Sequence, residues 1–474
     1  MKKVLFICVT MLLICISGKA TERNLLLIPY PQQVSIKQGN YNLTDNVKIG
    51  ADPLFTQELK KLQEVLTEDF GLKSQIVKPS KADISLCYDA SFMQEEKEAY
   101  QLEVTDMKIT IRAQMATGIF YGIQSLRQLI KSEAGKWIIP KLTITDYPAL
   151  SWRSFMLDEG RYFKGEKVVK QILDEMALLK MNVFQWHLTD DQGWRIEIKK
   201  YPRLTEIGAF RDSTQMEWYE SHHYDGKPHG GFYTQTQIRS IIKYASERHI
   251  TIIPEIEMPG HSAAAIAAYP WLSATGKEIK VPCNFGVQYD VFNVTDPKVL
   301  NFLNDVIDEV TTLFSSGILH IGGDEVRYDQ WNASSSVQKF IQEKGFSSAS
   351  DIQVWFTNQM SKVIAQKGWR MMGWNDITGE KLHHFQSGDK EGTERLAPGT
   401  IVQFWKGDSD ILQRAAEQGQ HIVNSYNNFT YLNYSYEYDS LQATYEFKPI
   451  SLQRAYEFKP VPENFPVHLV PQIL

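Results

Sequence analysis

The pattern of apolar and polar positions changes character near residue 149. Before it, short alternating runs such as Tyr100-Gln101-Leu102-Glu103-Val104 and Lys108-Ile109-Thr110-Ile111-Arg112 predict strands with one buried face, because side chains alternate across a pleated strand. Residues 57–70 and 116–131 carry apolar side chains at i, i+3 and i+4, which predicts two amphipathic helices. Strands and helices without a repeating order predict a small α+β domain over residues 21–148. A linker-like stretch, Thr145-Asp146-Tyr147-Pro148-Ala149-Leu150, closes it.

After Ser151 a rhythm sets in. Apolar runs at 154–157, 182–188, 251–256, 318–321, 371–374, 401–405 and 422–425 read as strands, and 165–180, 236–248, 297–314 and 352–367 as helices between them. This alternation predicts an α/β architecture over residues 149–474, a (β/α)8 TIM barrel. A doubly wound sheet is the lesser choice, since no glycine-rich turn follows the first strand. Only seven strands can be counted, so the eighth is expected to be missing and strands one and seven to keep unpaired edges. Late in the chain the segment 440–450 is repeated as 451–461, too short for a solenoid and read as an insertion in a surface loop.

Composition adds a few bounds. With 474 residues, 43% hydrophobic and 22% charged, the chain has ordinary globular values and room for two domains. A net charge of −6 without a basic block argues against nucleic acid as a partner. Lys2 and Lys3, the apolar run 4–16 and Ser17-Gly18-Lys19-Ala20 read as a signal peptide over residues 1–20, so the protein is expected to be exported to the periplasm or outside the cell. Lipid attachment at Cys15 is less favoured, because Ile14 is bulky. No later run is long enough to span a bilayer, and Cys87 and Cys283 do not imply a disulfide framework.

Chemistry gathers at the strand ends, where β/α barrels place their reacting groups. They read Leu157-Asp158-Glu159-Gly160-Arg161, Trp186-His187-Leu188-Thr189-Asp190-Asp191, Pro254-Glu255-Ile256-Glu257-Met258-Pro259-Gly260-His261, His320-Ile321-Gly322-Gly323-Asp324-Glu325, Gly373-Trp374-Asn375-Asp376 and Gln403-Phe404-Trp405. Each has a plainer reading: Arg161 could pair with Asp158, Asp190 and Asp191 could cap a helix, His261 could cap the next one, and Trp374 could be core. His187, Asp190, His261 and Asp324 are also metal-ligand types, but no H-x-H or H-E-x-x-H motif marks zinc. Eleven Trp and 22 Tyr, many near these motifs, suit the flat C–H face of a sugar.

His187 to Arg195, Pro254 to His261 and His320 to Glu325 resemble the motifs of the family 20 glycoside hydrolases, the β-N-acetylhexosaminidases. The resemblance implies release of terminal N-acetylhexosamine from a glycan substrate, with no metal or other cofactor. It implies Glu325 as general acid and Asp324 as the group orienting the substrate's 2-acetamido function, whose oxygen is the nucleophile. Asp190 and His261 would form a relay behind Glu325, and Arg161 would bind the sugar's C3 and C4 hydroxyls. Trp355 and Trp374 would box the acetamido methyl, Tyr431 would donate to its carbonyl, and Asn433 would meet sugar hydroxyls. The family closes its barrel with an eighth strand carrying Trp-x-Glu, which this chain lacks. The expectation is an exo-acting, retaining β-N-acetylhexosaminidase, and the alternative is an inactive truncated homologue or a glycan-binding protein.

Overall fold

The computed structural model describes residues 25–92, 97–218, 220–386, 392–434 and 450–474. The leader expected at 1–20 and residues 440–449 of the duplication lie outside them. The chain divides into two compact units, residues 1–149 and 150–474.

In the first unit an eight-stranded mixed sheet carries two helices. Tyr100–Val104 alternates buried and half-buried positions along its length, as its sequence requires of a strand with one face on a core. The helix Thr56–Glu68 buries Leu59, Leu62 and Leu66. The helix Ala116–Leu129 lies closer to the sheet through Gly118 and Gly122, where a Cβ would strike the Ala99 carbonyl and the Ile111 side chain. Helical glycines usually cost about 1 kcal/mol; here they permit the approach.

Among the described residues the second unit holds seven parallel strands, Ser154–Asp158, Val183–His187, Thr251–Glu255, Ile318–His320, Arg370–Trp374, Ile401–Phe404 and His421–Asn424, each beside its chain neighbour. This is the curled parallel sheet of an incomplete barrel. The predicted runs match these strands to within one or two residues. Helices return between them, each burying one apolar stripe, such as Val169, Leu173 and Met176 of Glu166–Leu178. Thr234 and Gln237 form a capping box at the start of Gln235–Ser246, satisfying donors the helix cannot. Met372, Ile401 and Val423 form one part of the core, with Trp152, Ile318 and Leu474 packed against it.

The edge of the seventh strand is not bare. Ile473 forms a parallel bridge with Ile422, and the Leu474 N–H donates to the Ile422 carbonyl at 2.9 Å. These two residues take the first positions beside the seventh strand. The second copy of the duplication forms the exposed helix Leu452–Tyr456, tied to the preceding loop by Arg454 Nε donating to the Asn428 carbonyl and by Pro460 accepting from Asn424. No helix among the described residues is long and apolar enough to cross a membrane.

Strand register sets the chemistry. Asp158 faces His187, His187 faces Glu255, and Glu255 faces His320 across four neighbouring strands. One row of the sheet is thus alternately acid and imidazole. The loops above are gathered by Arg195, which is fully buried. Its guanidinium donates to the carbonyls of Glu159, Gly160, Gln192, Ala209 and Gly231. Burial lowers its pKa to about 10, still well above neutrality. Gly193 is required beside it, since a Cβ there would overlap the guanidinium. Arg195→Met leaves those carbonyls without their donor and should cost about 3 kcal/mol or more. Urea denaturation measures this, and a loss within experimental error would show the loops to be held by other contacts.

Candidate active site

Two glycines shape the floor of the site. Gly322 and Gly323 have φ of +63° and +87°, a region that costs other residues strain. A Cβ on Gly322 would overlap the Glu257 carboxylate, and one on Gly323 would strike Ile377. The chain turns at this pair and presents Asp324 and Glu325 at the strand's end. His261 and Glu325 themselves have φ of +46° and +52°, and strain in non-glycine residues marks functional positions. The turn is held by Glu325 N–H donating to Asp376 Oδ1 at 3.1 Å and by Gln353 Nε2 donating to the Gly323 carbonyl at 2.8 Å.

His261 joins the two acids to those of the second strand. Its Nε2 lies 3.4 Å from Asp324 Oδ2 and 3.5 Å from Glu325 Oε2. Its Nδ1 is 3.0 Å from Asp191 Oδ2 and 3.3 Å from Asp190 Oδ1. The expected relay through Asp190 is therefore shared, and its hydrogen bond goes to Asp191. Asp190 turns its other oxygen to Arg161 Nη1 at 2.8 Å, and the same nitrogen meets Asp158 Oδ2 at 3.1 Å. Arg161 thus pairs with Asp158, its plainer reading, and also with the buried Asp190.

A second imidazole stands on the other side of Glu325. His383 Nδ1 is 3.5 Å from Glu325 Oε1, and its Nε2 is hydrogen-bonded to Asp376 Oδ1 at 2.7 Å. Trp405 Nε1 donates to the other Asp376 oxygen at 2.9 Å, and Lys406 Nζ lies 3.3 Å from His383 Nδ1. Beneath, Trp374 Nε1 donates to Glu255 Oε1 at 2.9 Å, while Gln185 Nε2 takes Oε2 at 2.7 Å. His320 Nδ1 lies 3.2 Å from Glu255.

Trp355 does not join this group. It lies on the helix Ala349–Gln366 against Phe340 and Phe346, with ring centres 5.1 and 6.4 Å away. Gln353 of that helix faces Gly323, and two residues on is roughly 200° round the helix axis, so Trp355 points elsewhere. Trp405 instead stands in this group, with its ring 6.4 Å from Trp374 and stacked on Tyr431 at 6.1 Å and 11°. Tyr431 feels the charges of Asp324 and Glu325. Asn433, two residues on, is exposed, and among the described residues no contact ties it to either acid. Trp405, Asp376, His187, Asp191, Glu255 and Glu257 stand at strand ends and were open to assignment from that position alone. His383 comes from a loop whose sequence carries no such signal.

The chain is similar to known proteins. The glycosyl hydrolase family 20 catalytic domain matches residues 150–469, and domain 2 of that family matches residues 24–147. The chain belongs to glycosyl hydrolase family 20. A beta-hexosaminidase of Porphyromonas gingivalis is 38% identical over 86% of this chain and 52% of its own length. One from Vibrio furnissii is 34% identical over 87% of this chain and 65% of its own. The chain thus spans about half to two thirds of these relatives. The solved GH20 exo beta-N-acetylglucosaminidase of Vibrio harveyi superposes with a TM-score of 0.79 at 29% identity, over 94% of this chain and 68% of that one. The beta-N-acetylhexosaminidase of Bacteroides fragilis gives 0.77 at 31%, over 94% and 84%.

In this family 20 site, buried acids outnumber buried bases, and protons settle the balance. Burial disfavours charge on His261, but Asp190 and Asp324 outweigh it and raise its pKa well above the ordinary imidazole value. His187 is raised likewise, burial being overcome by Glu255 and Asp158. Burial also opposes ionisation of Asp190, yet Arg161 and His261 hold its pKa well down, whereas burial raises its neighbour Asp191. Glu257, beneath Gly322, is pushed well up by burial and by Asp324. Glu325 is lowered: burial would raise it, but the His261 contact wins. Three groups, His187/Asp190/Glu257, Asp190/Asp191/His261 and His261/Asp324/Glu325, bring ligand-type atoms within 4.8 Å of one another. Their spacings suit protonated imidazoles as well as a cation.

Stability should follow these shifts. His187 and His261 titrate above the ordinary value of 6.5, so their contribution is complete below it and lost as pH rises through the raised values. Asp190 titrates below 3.8, so its contribution is lost only in strong acid. Glu257, raised well above the ordinary 4.5, holds a proton on folding that the unfolded chain releases, so the thermal midpoint should fall from about pH 5 upward and more steeply above 6.5. His261→Asn should shallow that alkaline fall. An unchanged slope in the variant would place the titration outside this imidazole.

Proposed function

We propose that this chain is an exo-acting β-N-acetylhexosaminidase that removes terminal N-acetylhexosamine from glycans with retention, using the substrate's acetamido oxygen as nucleophile. One observation carries this: Asp324 Oδ1 is buried and has no hydrogen-bond partner among the described residues. A buried acceptor without a donor costs free energy, and a substrate amide N–H would satisfy it. Asp324 and Glu325 also approach the same nitrogen of His261, so they lie on one side of a bound sugar. A carboxylate acid and a carboxylate nucleophile must stand on opposite faces. In this arrangement the nucleophile comes from the substrate. The names of the relatives and of the solved structures agree with this activity.

The residues then take the following roles. Glu325 protonates the glycosidic oxygen as the acetamido oxygen attacks the anomeric carbon and the C–O bond breaks. Asp324 accepts from the amide N–H and stabilises the positive oxazolinium. Glu325, now ionised, takes a proton from a water that attacks the same carbon, which reopens the ring with the starting configuration. His261 and Glu325 behave as a pair. With water excluded by the sugar, a proton on Nε2 can pass to Glu325 and leave both groups neutral, the form the first step needs. Asp191, whose pKa is raised by burial, steadies the other nitrogen. Tyr431 is pushed well above 10 by burial and stays a donor for the acetamido carbonyl. Arg161 donates to sugar hydroxyls. We also propose that residues 1–20 direct export of the protein.

Glu325→Gln should nearly abolish hydrolysis of an aryl N-acetylglucosaminide, and Asp324→Asn should lower kcat about a hundredfold or more with a smaller effect on KM. A chelator should change neither. Intact kcat in Asp324→Asn, or equal cleavage of the glucoside lacking the amide, would rule out substrate assistance. Loss on chelation with recovery on adding a divalent cation would assign the acid cluster to a metal. Binding of the sugar without turnover would mark a glycan-binding protein.

A further inference from the structure

Flat groups form a column that runs past Glu325 to the surface. Trp405 stacks on Tyr431 and also meets His383 at 5.9 Å between ring centres. His383 stacks on Phe385 at 5.1 Å and 9°. Phe385 faces the guanidinium of Arg327 at 4.7 Å, and Arg327 in turn covers the ring of Tyr289 at 4.2 Å. Arg327 cannot swing away, because Nε and Nη2 donate to the two oxygens of Asp329 at 2.9 and 3.3 Å. The column ends at Tyr289, which is 53% exposed.

The segment carrying Tyr289 is also pinned. Gln330 Nε2 donates to Asp290 Oδ1 at 2.8 Å, Phe292 N–H donates to the Pro259 carbonyl at 3.0 Å, and Trp331 Nε1 donates to the Phe292 carbonyl at 2.9 Å. A large aromatic left open to water gains nothing from exposure. This one is held open by a locked arginine on a fixed segment. Asp329 balances the charge of Arg327, so the platform presents a ring face with little net charge. That suits an uncharged ring with C–H groups on one side better than an anion.

The column also has a direction. Tyr431 is the donor assigned above to the acetamido carbonyl, Trp405 stacks on it, and His383 lies 3.5 Å from the Glu325 carboxyl. Arg327 follows that carboxyl by two residues. A general acid protonates the oxygen that departs, so whatever leaves with that oxygen lies on the Glu325 side, toward Arg327 and Tyr289.

We propose that Tyr289, braced by Arg327, is a subsite for the leaving group and takes a saccharide ring stacked on its outer face. This rests on Glu325 acting as the acid, since only then is this the leaving side. It makes the protein a better enzyme for oligosaccharides than for glycosides with a small leaving group.

The test uses Glu325→Gln protein, which should bind without turnover, titrated calorimetrically with N-acetylglucosamine and with its β-1,4-linked disaccharide. The disaccharide should bind about tenfold more tightly. Adding Tyr289→Ala should erase that advantage and leave the monosaccharide affinity unchanged, while Tyr289→Phe should keep both. In the otherwise native protein, Tyr289→Ala should lower kcat/KM for the disaccharide by a similar factor and spare the methyl glycoside. An advantage that survives in Tyr289→Ala, or an equal loss for both ligands, overturns the subsite. Failure of the monosaccharide to bind the parent protein overturns the functional reading, and the subsite with it.

Discussion

Charge buried at the ends of the strands is the constraint on which the rest of this structure depends. Asp190, Asp191, Glu255, Glu257, His187, His261 and His320 are all buried. Isolated, any of these charges would be expensive to take out of water. They coexist because sheet register alternates acid and imidazole along one row, and because His261 reaches acids of two strands at once. Arg161 supplies the fixed positive charge, and protons supply the rest. Remove one partner and its neighbours must change protonation or geometry.

This network also accounts for the strain above it. A left-handed conformation at both His261 and Glu325 is stable only when surrounding contacts over-determine it. Those contacts are the hydrogen bonds from Glu325 N–H to Asp376 and from Gln353 to Gly323, and the close seat of Gly322 over Glu257. The turn is thus rigid before any ligand arrives. Preorganised donors and acceptors need no rearrangement during reaction, which is how such sites lower barriers.

The two sides of Glu325 differ in kind. One faces His261 and the buried aspartates, a wet-chemistry side where a proton can be held or passed. The other faces His383, from which stacked Phe385 and then Arg327 lead on toward Tyr289. Such a division lets one carboxyl exchange protons on one edge while flat groups order what lies along the other.

Much of this was legible in the chain. The shift from period-two alternation to alternating strand and helix placed both units, because burial on one face dictates those periods. The strand ends named Asp190, His261, Asp324, Glu325, Arg161 and Trp374, since a parallel barrel strand must deliver its last residues to one rim. Trp355 misled because a helix turns 100° per residue, and only packing decides which face meets the barrel. Asp190 and Asp191 are neighbours in sequence, so nothing local said which would bond to His261; the short Thr189–Asp190 and Gly193–Trp194 hairpin brings both within reach. His383 and Tyr289 lie on loops, whose paths are set by distant partners such as Asp376 and Arg327. Periodicity is a local property, written residue by residue, whereas the meeting of loops is settled only when the whole chain has packed.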